Sequence, residues 1–426
     1  MNRNLNLLLF GQLASQIGDK FHILAVAFLV LQTTGSATQM GLVLFCSIFP
    51  GMALGVVSGA FVDRFNRKAL IIGADLARGL IVALLCAAYY AGALSFPLLL
   101  AAQCAISVCT AFFDPAVPAI IPQIVQPEKL SQANSRTQLV SGISMIAGPA
   151  LGGVAVAWNG YLFVFVVNAC SYLFSAGMEA FIALPHHDRK GLSPAGVLGD
   201  IQEGCKYLFG KRSLVLILGM VGLIHFLVGS IEVIIPILAV KIDGAGPENM
   251  GRLQAAFGAG TICAGLVLGL KSIAGRESSF LFGGASVVGL LLIGVSLALH
   301  LDVVSVAPYL CLFGGVGCCV ICAATGFRSL IQQETETAMM GRVFGFVSSV
   351  GNVSIPLAAL VYGVLLERYP LGLVAALAGV VLTPICILGG FLFYRAPSKV
   401  NFCNSTLRIT PKMLSDEPAN KGLGFK

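Results

Sequence analysis

Gly59-Ala60-Phe61-Val62-Asp63-Arg64-Phe65-Asn66-Arg67-Lys68 forms a charged hinge between two long apolar segments. Upstream, residues 40–62 run without a single charge, and downstream, residues 69–94 hold only Asp75 and Arg78. Each segment is long enough to cross a hydrocarbon core of about 30 Å as a helix. A connection this short makes the two helices antiparallel neighbours. Three cations and one carboxylate in the hinge predict that it faces the cytoplasm, because short loops on that side carry the excess of Lys and Arg.

The same pattern of apolar run and short polar break extends through the chain. Of its 426 residues 57% are hydrophobic and 11% charged, and the mean hydropathy is +0.91. Soluble domains carry about 25% charged residues, so a soluble globular protein is excluded. The 50 glycines fit helices that pack backbone to backbone in a membrane. Apolar runs fall at 7–31, 40–62, 69–91, 96–121, 136–157, 160–184, 214–240, 252–271, 280–300, 306–330, 342–366 and 371–394. The fold class expected is an all-α membrane protein with twelve spans. A β-barrel is excluded because the runs are continuous, whereas barrel strands alternate. The first run is too long for a cleaved signal core and holds Gln12, Ser15, Gln16 and Asp19, so a retained span is expected there. Cys319 and Cys322 form a CxxC inside a span beside Cys318, with no histidine near in sequence; small, soft packing residues account for them better than a metal.

Placing the N-terminus in the cytoplasm puts all but five of the 26 Lys and Arg on the cytoplasmic side. The five are Lys20 and Arg78 within spans, and Lys241, Arg252 and Arg368 outside. Both termini are therefore expected to be cytoplasmic. The net charge of +7 follows from this topology and implies no nucleic-acid partner. The expected division is a six-helix bundle over 1–184, a cytoplasmic linker over 185–213, a second six-helix bundle over 214–394 and a disordered tail over 395–426. Within the linker, Val197, Leu198, Ile201, Cys205, Leu208 and Phe209 recur at helical spacing, which reads as a helix lying on the membrane surface. His186-His187-Asp188 reads as a solvated charge cluster, so no metal is expected. The two bundles repeat at an offset near 210: Gly55-x-x-x-Gly59 matches Gly265-x-x-x-Gly269, and Pro149 matches Pro356 with a slip of three. Parallel repeats with a binding site between them are a transporter architecture.

Span 5 carries Ser144-Met145-Ile146-Ala147-Gly148-Pro149-Ala150-Leu151-Gly152-Gly153. Gly148 and Gly152 lie four apart on one helix face and admit a close neighbour, while Pro149 removes a backbone donor and bends the helix. The hinge, with Gly59, Asp63, Arg64, Arg67 and Lys68 in register, resembles motif A of the major facilitator superfamily. Gly148-Pro149-x-x-Gly152-Gly153 resembles motif C, the antiporter motif of drug:proton exporters, with Ser144 where the family has glycine. Gly11-Gln12-x-x-Ser15-x-x-Gly18-Asp19, Asp75-Leu76-x-Arg78, Phe113-Asp114-Pro115-Ala116, Leu130-x-x-Ala133-Asn134 and Gly341-Arg342-Val343 look like the macrolide-efflux branch. That branch, the third drug:proton antiporter group, also includes siderophore exporters. The resemblance implies the major facilitator fold and a bacterial cytoplasmic (inner) membrane. It implies export of small amphipathic, drug- or macrolide-like compounds by proton antiport and alternating access, or export of a siderophore or other endogenous metabolite. It further implies a gating role for Asp63, which would accept hydrogen bonds from a facing helix end with Arg64, Arg67 and Lys68 supporting it. Span 4 departs from many twelve-span drug antiporters in having no arginine, so their proton path does not carry over.

Ionisable residues inside spans are costly and mark pathways. Asp19 lies near the middle of span 1, with His22 as a candidate partner. Asp75 and Arg78, three apart on span 3, can satisfy each other. Asp114 is the sole charge of span 4, next to Pro115 and a possible helix break. His225 and Glu232 are seven apart on span 7, with Gly229 expected to open space between them. Glu179, close to the end of span 6, is expected to snorkel to the interface. Proton and substrate handling is accordingly assigned to Asp19, Arg78, Asp114, His225 and Glu232. No His-Glu-x-x-His, Gly-x-x-x-x-Gly-Lys or Gly-x-Ser-x-Gly occurs. The reading is a transporter with no cofactor, whose partners are a small-molecule substrate, protons and the lipid bilayer; an enzyme would have only the linker His-His-Asp cluster to work with.

Overall fold

The computed structural model describes residues 3–183, 203, 205–242, 246–270, 273, 275–336 and 339–395. The side chains of Gly59, Asp63, Arg64 and Arg342 lie outside the described set, as do the His186–Asp188 cluster, most of the expected surface helix and the tail beyond Arg395. The expectations resting on those residues fall outside it too.

Among the described residues twelve α-helices carry the fold: α1 (Arg3–Thr34), α2 (Ala37–Arg64), α3 (Arg67–Tyr90), α4 (Phe96–Ile124), α5 (Leu130–Ala180), α6 (Arg212–Val228), α7 (Ile231–Lys241), α8 (Gly246–Leu270), α9 (Gly284–His300), α10 (Val306–Glu334), α11 (Met340–Arg368) and α12 (Leu371–Arg395). At 1.5 Å per residue the 51-residue α5 would be about 75 Å long, far beyond one bilayer crossing. It breaks at Gly160, whose φ of 74° is open to glycine at little cost, and so crosses twice. Helices α6 and α7 together make one crossing. The described residues therefore make twelve passes, and each expected span lies on a helix. The turns alternate between two ends of the molecule, called here the hinge end, at Phe65–Asn66, and the far end, at Gly35. Both described termini lie at the hinge end.

The hinge has a local cause. Asn66 stands in extended geometry, and its side chain accepts from the Lys68 and Ala69 backbone N–H groups at 3.1 and 3.4 Å, capping α3. The two cations that follow each grip the carboxyl end of another helix. Arg67 Nη1 donates to the Ala119 carbonyl at 2.9 Å and Lys68 Nζ to the Ala180 carbonyl at 2.7 Å, where the helix dipole favours positive charge.

The internal repeat is regular. Helix α10 spans the residues of α4 plus 210, and α11 starts 210 after α5. Gly92 and Asp302, also 210 apart, close α3 and α9 with positive φ and the same bond, Ala93 N to Ala88 O at 2.8 Å and Val303 N to Ala298 O at 3.0 Å. This register corrects the three-residue slip expected from Pro149 and Pro356: the two prolines occupy different turns of equivalent helices.

The halves cross twice toward the far end. A Cβ at Gly153 of α5 would stand 2.6 Å from Gly251 Cα of α8, and one at Gly363 of α11 would stand 3.2 Å from Gly41 Cα of α2. Adding 210 to Gly41 and Gly153 gives Gly251 and Gly363, so the crossings are repeat-related copies. Only glycine permits such backbone contact. Gly55, Gly265 and Gly269, by contrast, meet nothing within 4 Å.

Candidate transport site

Helices α1, α3, α4 and α5 bring one cation and several carboxylates together inside the first half. Arg78 is buried, and its Nη2 donates to Asp75 Oδ1 within α3. Its Nη1 lies 3.8 Å from Asp19 Oδ2 and 3.5 Å from Thr110 Oγ1. The guanidinium carbon sits 4.3 Å from the centre of the Phe113 ring and 4.7 Å from that of Tyr172. Desolvated cation–π contacts of this kind contribute up to about 2 kcal/mol and help replace the lost hydration. Tyr172 also donates its hydroxyl to Asp19 Oδ1.

Exposure gives the network a direction. The Asp75 side chain is 0% exposed and Arg78 2%, whereas Asp19 is 34% exposed. Asp19 is thus the open end, and Asp75 the sealed one. Lys20 and Asp114 are exposed beside it, and Asp114 is within Coulombic reach of Arg78, Asp19 and Lys20. From the second half Glu232 is exposed and within Coulombic reach of Lys20. Asp19, Lys20, Asp114 and Glu232 therefore share one polar face between the halves, closed toward the far end by the two glycine crossings. Motif C builds that face. A Cβ at Gly148 would stand 2.4 Å from Lys20 Cβ and one at Gly152 3.2 Å from Phe21 Cα, so both glycines seat the Asp19–Lys20 turn of α1 against α5. Gly153, with the Pro149 carbonyl, makes the crossing to α8.

Several expectations change. Asp19 pairs with Tyr172 and Arg78; His22 lies on another face, with its Nε2 2.9 Å from Gln103 Nε2, so it accepts from that amide. Helix α4 runs unbroken through Pro115, so Asp114 sits on a continuous helix. Gly229 opens no space: a Cβ there would stand 2.7 Å from Ala358 Cβ, because α11 packs against it. His225 Nδ1 turns back to the Val221 carbonyl at 2.8 Å, and among the described residues no hydrogen bond or ion pair joins it to Glu232. Glu179 does not snorkel, being fully buried. Sequence reasoning missed Tyr172, although Tyr172, Ser175 and Glu179 at helical spacing give one face of α5 a polar stripe. A 240 Å³ pocket walled by Leu29, Thr33, Tyr89, Ser95 and Leu99 carries no charged side chain and is separate from this face. Among the described residues no group of His, Cys, Asp and Glu could hold a metal ion.

Twelve apolar passes in two repeat-related halves, with a charged face between them, define a membrane transporter. The chain belongs to the transmembrane secretion effector family (MFS_3), whose model matches residues 2–412. It is thus a multi-pass transporter of the major facilitator type and carries small molecules; it is not an enzyme. It is similar to the uncharacterized MFS-type transporter YfiS of Bacillus subtilis, 28% identical over 91% of this chain and 92% of that one. It resembles macrolide efflux protein A of Streptococcus pyogenes at 23% identity, covering 89% and 93% of the two chains. It also resembles the multidrug efflux pump Tap of Mycobacterium tuberculosis at 28%, covering 92% and 93%. Among solved structures, a bacterial homologue of the lysosomal transporter Spinster matches with a TM-score of 0.68 at 15% identity, over 92% of this chain and 97% of that one.

Proposed function

We propose that the protein exports small amphipathic compounds across the bacterial cytoplasmic membrane in exchange for protons, by alternating access. The relatives named for macrolide and multidrug efflux support the cargo class. The Lys and Arg bias supports a cytoplasmic hinge end and cytoplasmic termini. In this orientation the glycine crossings close the outer side, and the polar face belongs to a cavity reached from the cytoplasm. Asp63 and its motif A neighbours would close that side in the opposite state.

One observation carries the coupling: the partly exposed Asp19 is bonded to Tyr172 and Arg78 at the mouth of a buried network. When Asp19 binds a proton it releases Arg78 to Asp75 alone, and when it loses the proton the cation is shared again. Protonation is thereby tied to how α1, α3 and α5 hold together. Glu232, opposite Lys20, answers from the second half.

The test is efflux of ethidium or erythromycin from proteoliposomes, with and without an imposed pH gradient. Wild type is expected to export uphill only with the gradient. Asp19→Asn should lose uphill export while still exchanging substrate downhill, and Glu232→Gln should lose it in part. Wild-type export indifferent to the gradient would refute antiport, and an unaffected Asp19→Asn would move the proton site elsewhere.

A further inference from the structure

Beyond Asp19 the first half holds a second carboxylate for which the exchange cycle as described has no use. Glu179 lies one residue from the carboxyl end of α5 and is fully buried. Neither of its Oε atoms has a hydrogen-bond partner. The Ser175 hydroxyl, one turn earlier, stands close enough to interact with both Glu179 and Asp75 but forms no well-aligned hydrogen bond with either. Asp75 Oδ2, the oxygen not taken by Arg78, is likewise open. Asp19, Asp75, Ser175 and Glu179 thus form a row of oxygen-bearing side chains. The row runs from the cavity mouth, through the sealed interior, to the hinge end of the bundle.

Charge counting constrains this row. Among the described residues Arg78 is the only buried Lys or Arg, and it is engaged by Asp75 and Asp19. Glu179 would be a third carboxylate on the same cation and the second one fully buried, so its charge would be uncompensated, which a low-dielectric interior does not tolerate. The charged groups facing Glu179 from α3 are Asp75 and Arg78, with Lys68 one residue away on the Ala180 carbonyl. From α1, Gly11 packs against Ser175, while Asp19 acts on Asp75 at the far side of the row.

Building on the antiport reading, we propose that Glu179 is a second proton site, the carboxylic acid through which a proton taken up at Asp19 leaves toward the cytoplasm by way of Asp75 and Ser175. The step is a proton transfer with no other bond broken. Glu179 first releases its proton to the cytoplasm when the α5 end opens. As the Asp19 proton moves to Asp75, Arg78 shifts back onto the Asp19 carboxylate; Asp75 then gives the proton to the Ser175 hydroxyl, which passes its own to Glu179, so each O–H bond broken is matched by one formed. Lys68, holding the last turn of α5 by the Ala180 carbonyl, ties that opening to motif A. The row lies wholly within the first half, so proton release need not pass through the substrate cavity.

Two measurements test it. Infrared spectra of the purified, reconstituted protein near neutral pH should show a protonated carboxylic acid band that disappears in Glu179→Gln. In proteoliposomes loaded with ethidium or erythromycin, Glu179→Gln should lose at least tenfold in gradient-driven export while keeping downhill exchange, and Glu179→Asp should recover part of the coupling. An infrared spectrum unchanged by Glu179→Gln, or full gradient-driven export by that variant, overturns the proposal. If wild type itself ignores the gradient, the antiport reading fails; the infrared comparison still reports whether Glu179 holds a proton.

Discussion

Shifted by 210 residues, the two halves share helix boundaries, turn geometry and the glycine crossings, yet their interiors are chemically opposite. Where the first half buries Asp75, Arg78 and Tyr172, the second buries Ala285, Val288 and Leu382. Asp114 is answered by Ala324, Glu179 by Gly389, and Asp19 by Gly229, where α6 gives way to α7. The same backbone thus supports an ion-paired core and an apolar one. A buried ion pair is therefore not required to fold this architecture, which agrees with the general finding that such pairs seldom beat an apolar core of equal volume. On the proposed antiport reading, the first half keeps its charges to bind protons and respond to them. The second half packs instead through close backbone contacts such as Gly260 against the Gly314 carbonyl.

The largest effect should come from breaking the ionic core on one side only. Arg78→Val leaves Asp75 buried without its cation, and loss of one partner of a buried pair costs about 3–5 kcal/mol. Thermal unfolding in detergent should show a marked fall in stability. Replacing the set together, Asp75→Ala with Arg78→Val and Tyr172→Leu, gives the first half the apolar residues of the second. That variant should regain most of the lost stability and still fail in gradient-driven export. If it unfolds as readily as Arg78→Val alone, the two interiors are not interchangeable and the comparison breaks.

How much of this could be read without coordinates follows from the same contrast. Span number, the hinge, the repeat and the Asp75–Arg78 pair were legible because each is a local pattern along one helix or one loop. The partners of Asp19 were not, because Tyr172 lies 153 residues away and only the packing of α5 against α1 brings it near. Glu179 was misread for a related reason. Nearness to a helix end suggests snorkelling, but whether a carboxylate reaches water depends on the helices around it. Gly229 and Gly153 make the point for glycine: sequence marks a place without a side chain, and only the fold tells whether open space or another backbone fills it.

The crossings offer an intermediate effect that tests the symmetry directly. Gly153→Val and Gly363→Val each place a branched side chain where backbones touch, and the far end should fail to close. Export should fall by about tenfold or more in both, equivalent to at least ~1.4 kcal/mol on the conformational step. Gly265→Val, at a site meeting nothing within 4 Å, should transport nearly as wild type. Proteoliposome efflux normalised to inserted protein is the measure. A deficit in one crossing variant alone would show that the two contacts, alike in geometry, are unlike in function.

The smallest effect should come from a charged contact that one crossing has and the other lacks. At the α2–α11 crossing, Glu367 Oε2 accepts from Ser36 Oγ at 3.0 Å and from the Thr38 N–H at 3.1 Å, placing a carboxylate on the amino end of α2. Its repeat counterpart at the α5–α8 crossing is Ala157, which can do nothing of the kind. The negative charge favours contact with the positive end of the helix dipole, but Glu367 is exposed, so water and salt screen it. A contribution of about 0.5 kcal/mol is reasonable for such a site, which corresponds to roughly a twofold change in the balance between closed and open. Glu367→Gln keeps the hydrogen-bonding shape and removes the charge, so it isolates that component. Spin labels on Trp158→Cys and Val304→Cys, exposed on opposite halves at the far end, report the separation in a background cleared of reactive cysteines. Glu367→Gln should enlarge the long-distance population about twofold, well below the change produced by Gly153→Val, and added salt should bring wild type toward the variant. A shift as large as that of the glycine variants would make the carboxylate, rather than the paired glycines, what closes the far end.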